Sequence, residues 1–166
     1  KTAFAILHEI EHMLEKTAWL ETENGEKSFE KYLDKIKTSD GYSLMDNCVA
    51  DLRENRSVLK RTNKKWREIE KDAYENDLFK EKDFRTEPEH VQFCYGLLRE
   101  GRLPDEKCEL SGEVRQKLDE FYEIRNQRGE RLIDVMTDPS VPMSLRAALQ
   151  DEYVYPIVQE LLKKDI

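Results

Sequence analysis

Apolar residues recur along this chain at three- and four-residue spacing with polar residues between them, the period of the α-helix. Strict apolar–polar alternation of the kind a half-buried strand needs is not found. The pattern predicts a first helix over 2–22, with Ile6, Leu7, Ile10, Met13 and Leu14 on one side and Asn24-Gly25 as its stop. Phe29, Tyr32, Leu33 and Ile36 mark a short second helix, and Ser39-Asp40-Gly41 reads as a turn. Ser43 and Asp46 have capping-box spacing and open a long third helix over about 44–78. Thr86 and Glu89 repeat that signal before a helix over 87–100 that closes at Gly101. Arg102 to Leu110, containing Pro104, is a loop, and Ser111 caps a fifth helix running to about Met136. Thr137 to Pro142 is a proline-marked linker before a last helix that Pro156 should kink near Tyr155. The expected fold class is mainly α.

Composition supports that reading and narrows the partners. The 166 residues suffice for one domain with a real core. Charged residues make up 39% and apolar ones 38%, with six glycines and five prolines. That balance suits helices with charged outer faces. A net charge of −8 argues against nucleic acid or an anionic membrane as the main partner, because either needs a basic surface. No apolar run is long enough to span a bilayer. Cys48, Cys94 and Cys108 are odd in number and lack CxxC spacing, so we expect reduced thiols in a cytoplasmic protein. The chain opens at Lys1 with no signal-peptide pattern before its first helix, and we read it as a segment of a longer protein.

Against this background one motif carries chemistry. His8-Glu9-Ile10-Glu11-His12 is an HExxH sequence, and four residues is just over one helical turn. Both imidazoles therefore leave the same side of the helix and can grip one metal ion, with Glu9 beside them to take a proton from metal-bound water. The aliphatic stripe is expected to anchor the helix and leave the His–Glu face, with Trp19, lining a cleft.

Two histidines do not complete a catalytic zinc site, which takes three protein ligands and an open position. The third helix offers Asp51, which lies amid an apolar stripe of Leu44, Cys48, Leu52, Val58 and Leu59. A carboxylate on such a face needs a neutralising partner, and a zinc ion held by two imidazoles is one. The other candidate partners are arginines, Arg53 and Arg56 among them. Glu54 is the reserve ligand, and Asp46 is assigned to capping.

HExxH on one helix with a carboxylate from a later helix resembles the zincin metallopeptidases. In the gluzincin branch the later helix carries Glu-x-x-x-Asp, where this chain has Asn47 four residues before Asp51. The chain is more similar to the metallopeptidase domains that precede von Willebrand factor A-like modules in bacteria, whose later helix reads Asn-x-x-Ala-Asp-x-x-x-Asn. Asn47, Ala50, Asp51 and Asn55 fit that pattern, and the resemblance covers residues 3–59. It implies one zinc ion on His8, His12 and Asp51, Glu9 as general base, and Asn47 and Asn55 supporting the ligands. It also implies a peptide or protein substrate. An alternative within the resemblance is a non-catalytic metal-binding domain working with a von Willebrand factor A-like module and an AAA+ ATPase. An oxyanion donor could come from His90, Tyr95, Tyr153 or Tyr155, and the sequence does not choose. The basic run from Lys60 to Arg67 is followed by Glu68, Glu70 and Asp72 and reads as a solvated helix face.

Overall fold

The computed structural model describes residues 2–166. Its elements are α1 (Thr2–Leu20), α2 (Gly25–Thr38), α3 (Asp40–Arg61), α4 (Lys64–Ala73), α5 (Glu89–Arg102), α6 (Gly112–Glu123), α7 (Leu132–Met136), α8 (Met143–Leu149) and α9 (Tyr155–Asp165). Wide π turns follow α4 at Tyr74–Leu78 and α8 at Gln150–Val154. Only two isolated bridges, Asp83 with Glu109 and Arg125 with Arg131, occur among the described residues. The protein is mainly α, as the periodicity predicts. No helix among those described is long and apolar enough to cross a membrane.

The central element is α3, which touches α1, α2, α5 and α9. Its Met45, Val49 and Leu52 are buried, and they meet Phe93 and Leu97 of α5 and Val158 and Leu161 of α9 in one continuous core. A β-carbon on Gly101 would lie 2.5 Å from a methyl of Leu52. The absence of a side chain there lets α5 close onto α3. Asn24 takes the left-handed conformation (φ 57°) between α1 and α2. That is the role a residue past a helix end commonly has.

Several boundaries differ from the sequence reading. The expected third helix is two. Thr62 Oγ1 bonds back to the Val58 carbonyl and Asn63 Oδ1 accepts from Lys65 N, so one residue ends α3 and the next caps α4. The start is earlier: Ser39 Oγ accepts from Tyr42 N, and Asp40-Gly41 is the first turn of α3 instead of a loop. Asp46 is accordingly no cap. It is buried in mid-helix and accepts from Tyr32 Oη at 2.6 Å, Gln150 Nε2 at 2.9 Å and Arg146 Nη1 at 3.4 Å. The helix expected to run from Ser111 to Met136 is interrupted. Asn126 Oδ1 accepts from Arg128 N and Glu130 N there, and Gly129 (φ 78°) closes the turn. Asparagine and glycine are the residues such a turn favours. The α5 start is capped from a distance by Asp165, whose carboxylate accepts from Glu89 N and His90 N. Pro156 does fall at a break, in the first turn of α9 after the π turn.

The largest correction concerns α1. Its aliphatic stripe does not anchor it: Ile6, Ile10, Met13 and Leu14 are exposed. The face turned inward carries Phe4, His8, Glu11, His12, Glu15 and Trp19. Aromatic contacts fix its two ends, Phe4 against Trp66 and Trp19 against Phe29 and Tyr32. Between them the polar side chains meet a polar stripe on α3. Glu11 accepts from Ser57 and pairs with Arg61, Glu15 pairs with Arg53, and His8 bonds Asn55.

A candidate metal centre between α1 and α3

His8 and His12 project from adjacent turns of α1 onto Asp51 of α3. His8 Nε2 lies 3.2 Å from Asp51 Oδ1, His12 Nε2 lies 3.0 Å from His8 Nε2, and His12 Nε2 is 3.7 Å from Asp51 Oδ1. Ligand atoms about 2.0–2.2 Å from a tetrahedral zinc stand about 3.3 Å from one another. The three donor atoms already stand near that separation.

Their electronic state fits as well. His8 Nδ1 is 2.8 Å from Asn55 Oδ1. That oxygen accepts the Nδ1 proton and leaves Nε2 with a lone pair. Asn55 is itself buried and fixed by its Nδ2 donating to Tyr74 Oη at 2.8 Å. Two imidazole nitrogens and a carboxylate aimed at one point repel unless a proton or a cation lies among them. A proton does this in the metal-free protein. Burial disfavours the His8 imidazolium, but the hydrogen bond and charge of Asp51, with Asn55, outweigh it and raise His8 above its ordinary 6.5. Burial likewise pushes Asp51 up, and the two histidines more than reverse that, leaving it below 3.8.

Asp51 is the one of the sequence-derived candidates whose competing explanation the structure removes. Arg53 is engaged by Glu15 and by the carbonyls of Asp138 and Pro139, and Arg56 by the Asp134 carbonyl and Thr137. Neither arginine bonds Asp51. His12 and Asp51 each keep about a third of their side-chain surface exposed, so a position facing solvent is left at the site.

The other candidates separate. Asn55 bonds His8, whereas Asn47 is exposed on α3 and bonds neither histidine. Glu54 is buried behind His12, 3.9 Å from its Nδ1 and so on the side away from the shared point. Neither Glu54 oxygen has a hydrogen-bond donor, and burial beside Glu15 raises its acid well above 4.5. The neutral form is favoured by the fold, so ionisation weakens folding increasingly as pH rises above 4.5. Glu54→Gln, which imitates the neutral acid, is therefore expected to match the parent in urea unfolding at about pH 5 and to exceed it at about pH 8, both in chelator. A parent as stable as the variant at the higher pH would contradict this. Glu9 is exposed at the edge of the site, on the side of α1 away from Glu11.

The chain was compared with family models, characterised proteins and solved structures. None of them matches. The site therefore rests on its own geometry.

None of the four residues considered as oxyanion donors bonds the site. His90 is held by Asp165, Tyr95 packs against Phe79 and Phe84, Tyr155 meets Ser39 and Tyr42, and Tyr153 lies against the core. The sequence reading missed Tyr74, which the π turn after α4 directs onto Asn55. Burial and the nearby Asp51 charge raise its phenol and keep it protonated. The Thr62-Asn63 pair was the signal, since a helix break there folds α4 back toward the site. It also missed Glu11 and Glu15, which a projection at about 100° per residue places in the arc of His8. The three cysteines are free and buried, and burial raises all three thiols, Cys94 to about 12 and Cys108 to about 11.

Proposed function

We propose that His8, His12 and Asp51 hold one zinc ion and that the site hydrolyses peptide bonds. The observation that carries this reading is the convergence of two imidazole nitrogens and one carboxylate oxygen within 3.0–3.7 Å of one another, beside solvent. A His₂Asp donor set of this spacing suits zinc. Bound there, zinc would polarise a scissile carbonyl and supply water with a pKa near about 7.

The chain's own residues divide the remaining work. Asn55 fixes the His8 tautomer, and Tyr74 fixes Asn55. Glu9, at the solvent edge, accepts the proton of the attacking water and returns it to the leaving amine. The test is zinc-loaded protein incubated with a peptide mixture and read by mass spectrometry. Cleavage is expected, with a loss of about a hundredfold or more in Glu9→Gln while its zinc content is unchanged.

One observation favours the second reading, a non-catalytic metal-binding domain that works with a von Willebrand factor A-like module and an AAA+ ATPase. One common way of holding an extended peptide is along a sheet edge, and the described residues form only two isolated bridges. Bound zinc without cleavage of any peptide would sink hydrolysis and leave that reading.

A further inference from the structure

The outward face of α1 is as regular as the inward one. Ala3, Ile6, Ile10, Met13, Thr17 and Leu20 follow one another at spacings of three and four, and all six are exposed. That is the a/d repeat of a coiled-coil seam. Leu7 and Leu14 border it on one edge, Glu9 and Lys16 on the other. Five of the eight exposed large apolar side chains among the described residues lie on this one helix, each 39–69% accessible. A contiguous apolar stripe on a chain otherwise rich in charge marks a contact surface.

We propose that this face pairs with the same face of a second copy, the two α1 helices running antiparallel about a twofold axis. The proposal does not rest on the metal ligands, which lie on the opposite side of the helix; Glu9 alone borders both surfaces. Antiparallel register sets Ala3 against Leu20 of the second copy, Ile6 against Thr17 and Ile10 against Met13. Each layer then combines a larger with a smaller or more flexible side chain, and the twofold repeats every contact. The same register brings Leu7 to Leu14 of the other copy along one edge. Along the other it brings Glu9 toward Lys16, a charge match also made twice; the Lys16 ammonium lies 5.8 Å from the Phe29 ring centre within its own chain. A parallel arrangement would instead stack Ala3 on Ala3 and Thr17 on Thr17, leaving two poorly filled layers.

The strip is about 26 Å long and about 10 Å wide. The two strips together cover about 500 Å², below the size of a stable specific dimer, so a weak, reversible pair dissociating at about 100 micromolar is expected. Sedimentation of the whole chain over concentrations from about tenfold below to about tenfold above that range reads it directly. The parent should pass from monomer to dimer. Ile10→Glu and Met13→Glu should remain monomeric throughout with unchanged helical circular dichroism. Lys16→Glu should weaken the dimer by about two- to fivefold, the effect of an exposed charge pair. Mixing Ala3→Cys with Leu20→Cys chains should give the mixed disulfide on oxidation. A parent that stays monomeric, or a dimer indifferent to Ile10→Glu and Met13→Glu, overturns the proposal. So does efficient self-crosslinking of Ala3→Cys alone, which requires parallel helices.

Discussion

His8→Ala is expected to reduce zinc from close to one ion per chain to nearly none, measured by elemental analysis after reconstitution and desalting. The variant removes one of three protein donors, the imidazole that Asn55 orients. Loss of a supporting residue alone commonly costs about ten- to a hundredfold in metal affinity. Loss of the ligand should therefore exceed about a hundredfold, and Asn55→Ala should fall between variant and parent. Folding stability gives a second readout. With free zinc about a thousandfold above its dissociation constant, binding contributes about 4 kcal/mol, or about 8–16 °C in a domain of this size. Chelator should lower the parent's melting temperature by that amount and leave His8→Ala unmoved.

The pH dependence should change sign with the metal. In chelated protein His8 titrates above 6.5, so its pairing with Asp51 stabilises fully below 6.5 and is lost as pH rises through the raised value. Zinc must displace that proton, so its binding strengthens over the same interval. Glu54 contributes a loss of the same sign in chelator, so the comparison is made in Glu54→Gln protein. Chelated samples losing stability with rising pH while zinc-loaded ones gain it then point to a site shared by proton and metal. Equal zinc retention in His8→Ala and parent would refute the assignment.

The largest loss of stability is expected at Asp46, which has no part in the candidate metal centre though it lies on the same helix. Arg146 is fully buried, and Asp46 is the carboxylate bonded to its guanidinium, with Gln150 and Tyr32 completing the cluster. Asp46→Ala leaves a buried cation without its counter-charge, a change that costs about 3–5 kcal/mol. At about 2–4 °C per kcal/mol the melting temperature should fall by about 6–20 °C. Replacing both partners, Asp46→Ala with Arg146→Met, should recover much of this, because the charge that suffers is removed too. Urea unfolding of the three proteins decides it. A single variant within about 1 kcal/mol of the parent would mean that the cluster does not hold α8 and its π turn onto α3.

The mainly α class and the shared face of His8 and His12 were legible in the residues, because both depend on local spacing. Asp51 was singled out as a carboxylate on an apolar face, and its approach to the two histidines belongs to the packing of α1 on α3. The seating of α1 was not legible. Periodicity separates two faces of a helix without saying which is covered, and apolar character is an unreliable guide where a matching polar stripe exists. Glu11 and Glu15 go inward because Ser57, Arg61 and Arg53 on α3 can satisfy them, information contained only in the pairing of two distant segments. Asp46 was misassigned for the same reason: its partners Arg146 and Gln150 lie about a hundred residues further on. The breaks at Thr62-Asn63 and at Asn126 were local, and both follow from short polar side chains that compete for backbone groups.

The chain has two tryptophans, and both report on one helix. Trp19 sits buried at one end of α1, and Trp66 lies against Phe4 at the other. Intrinsic fluorescence is thus a selective gauge of how α1 is docked, while far-ultraviolet dichroism reads the whole helical content. A titration in which emission shifts before ellipticity falls would reveal α1 lifting off an otherwise folded body.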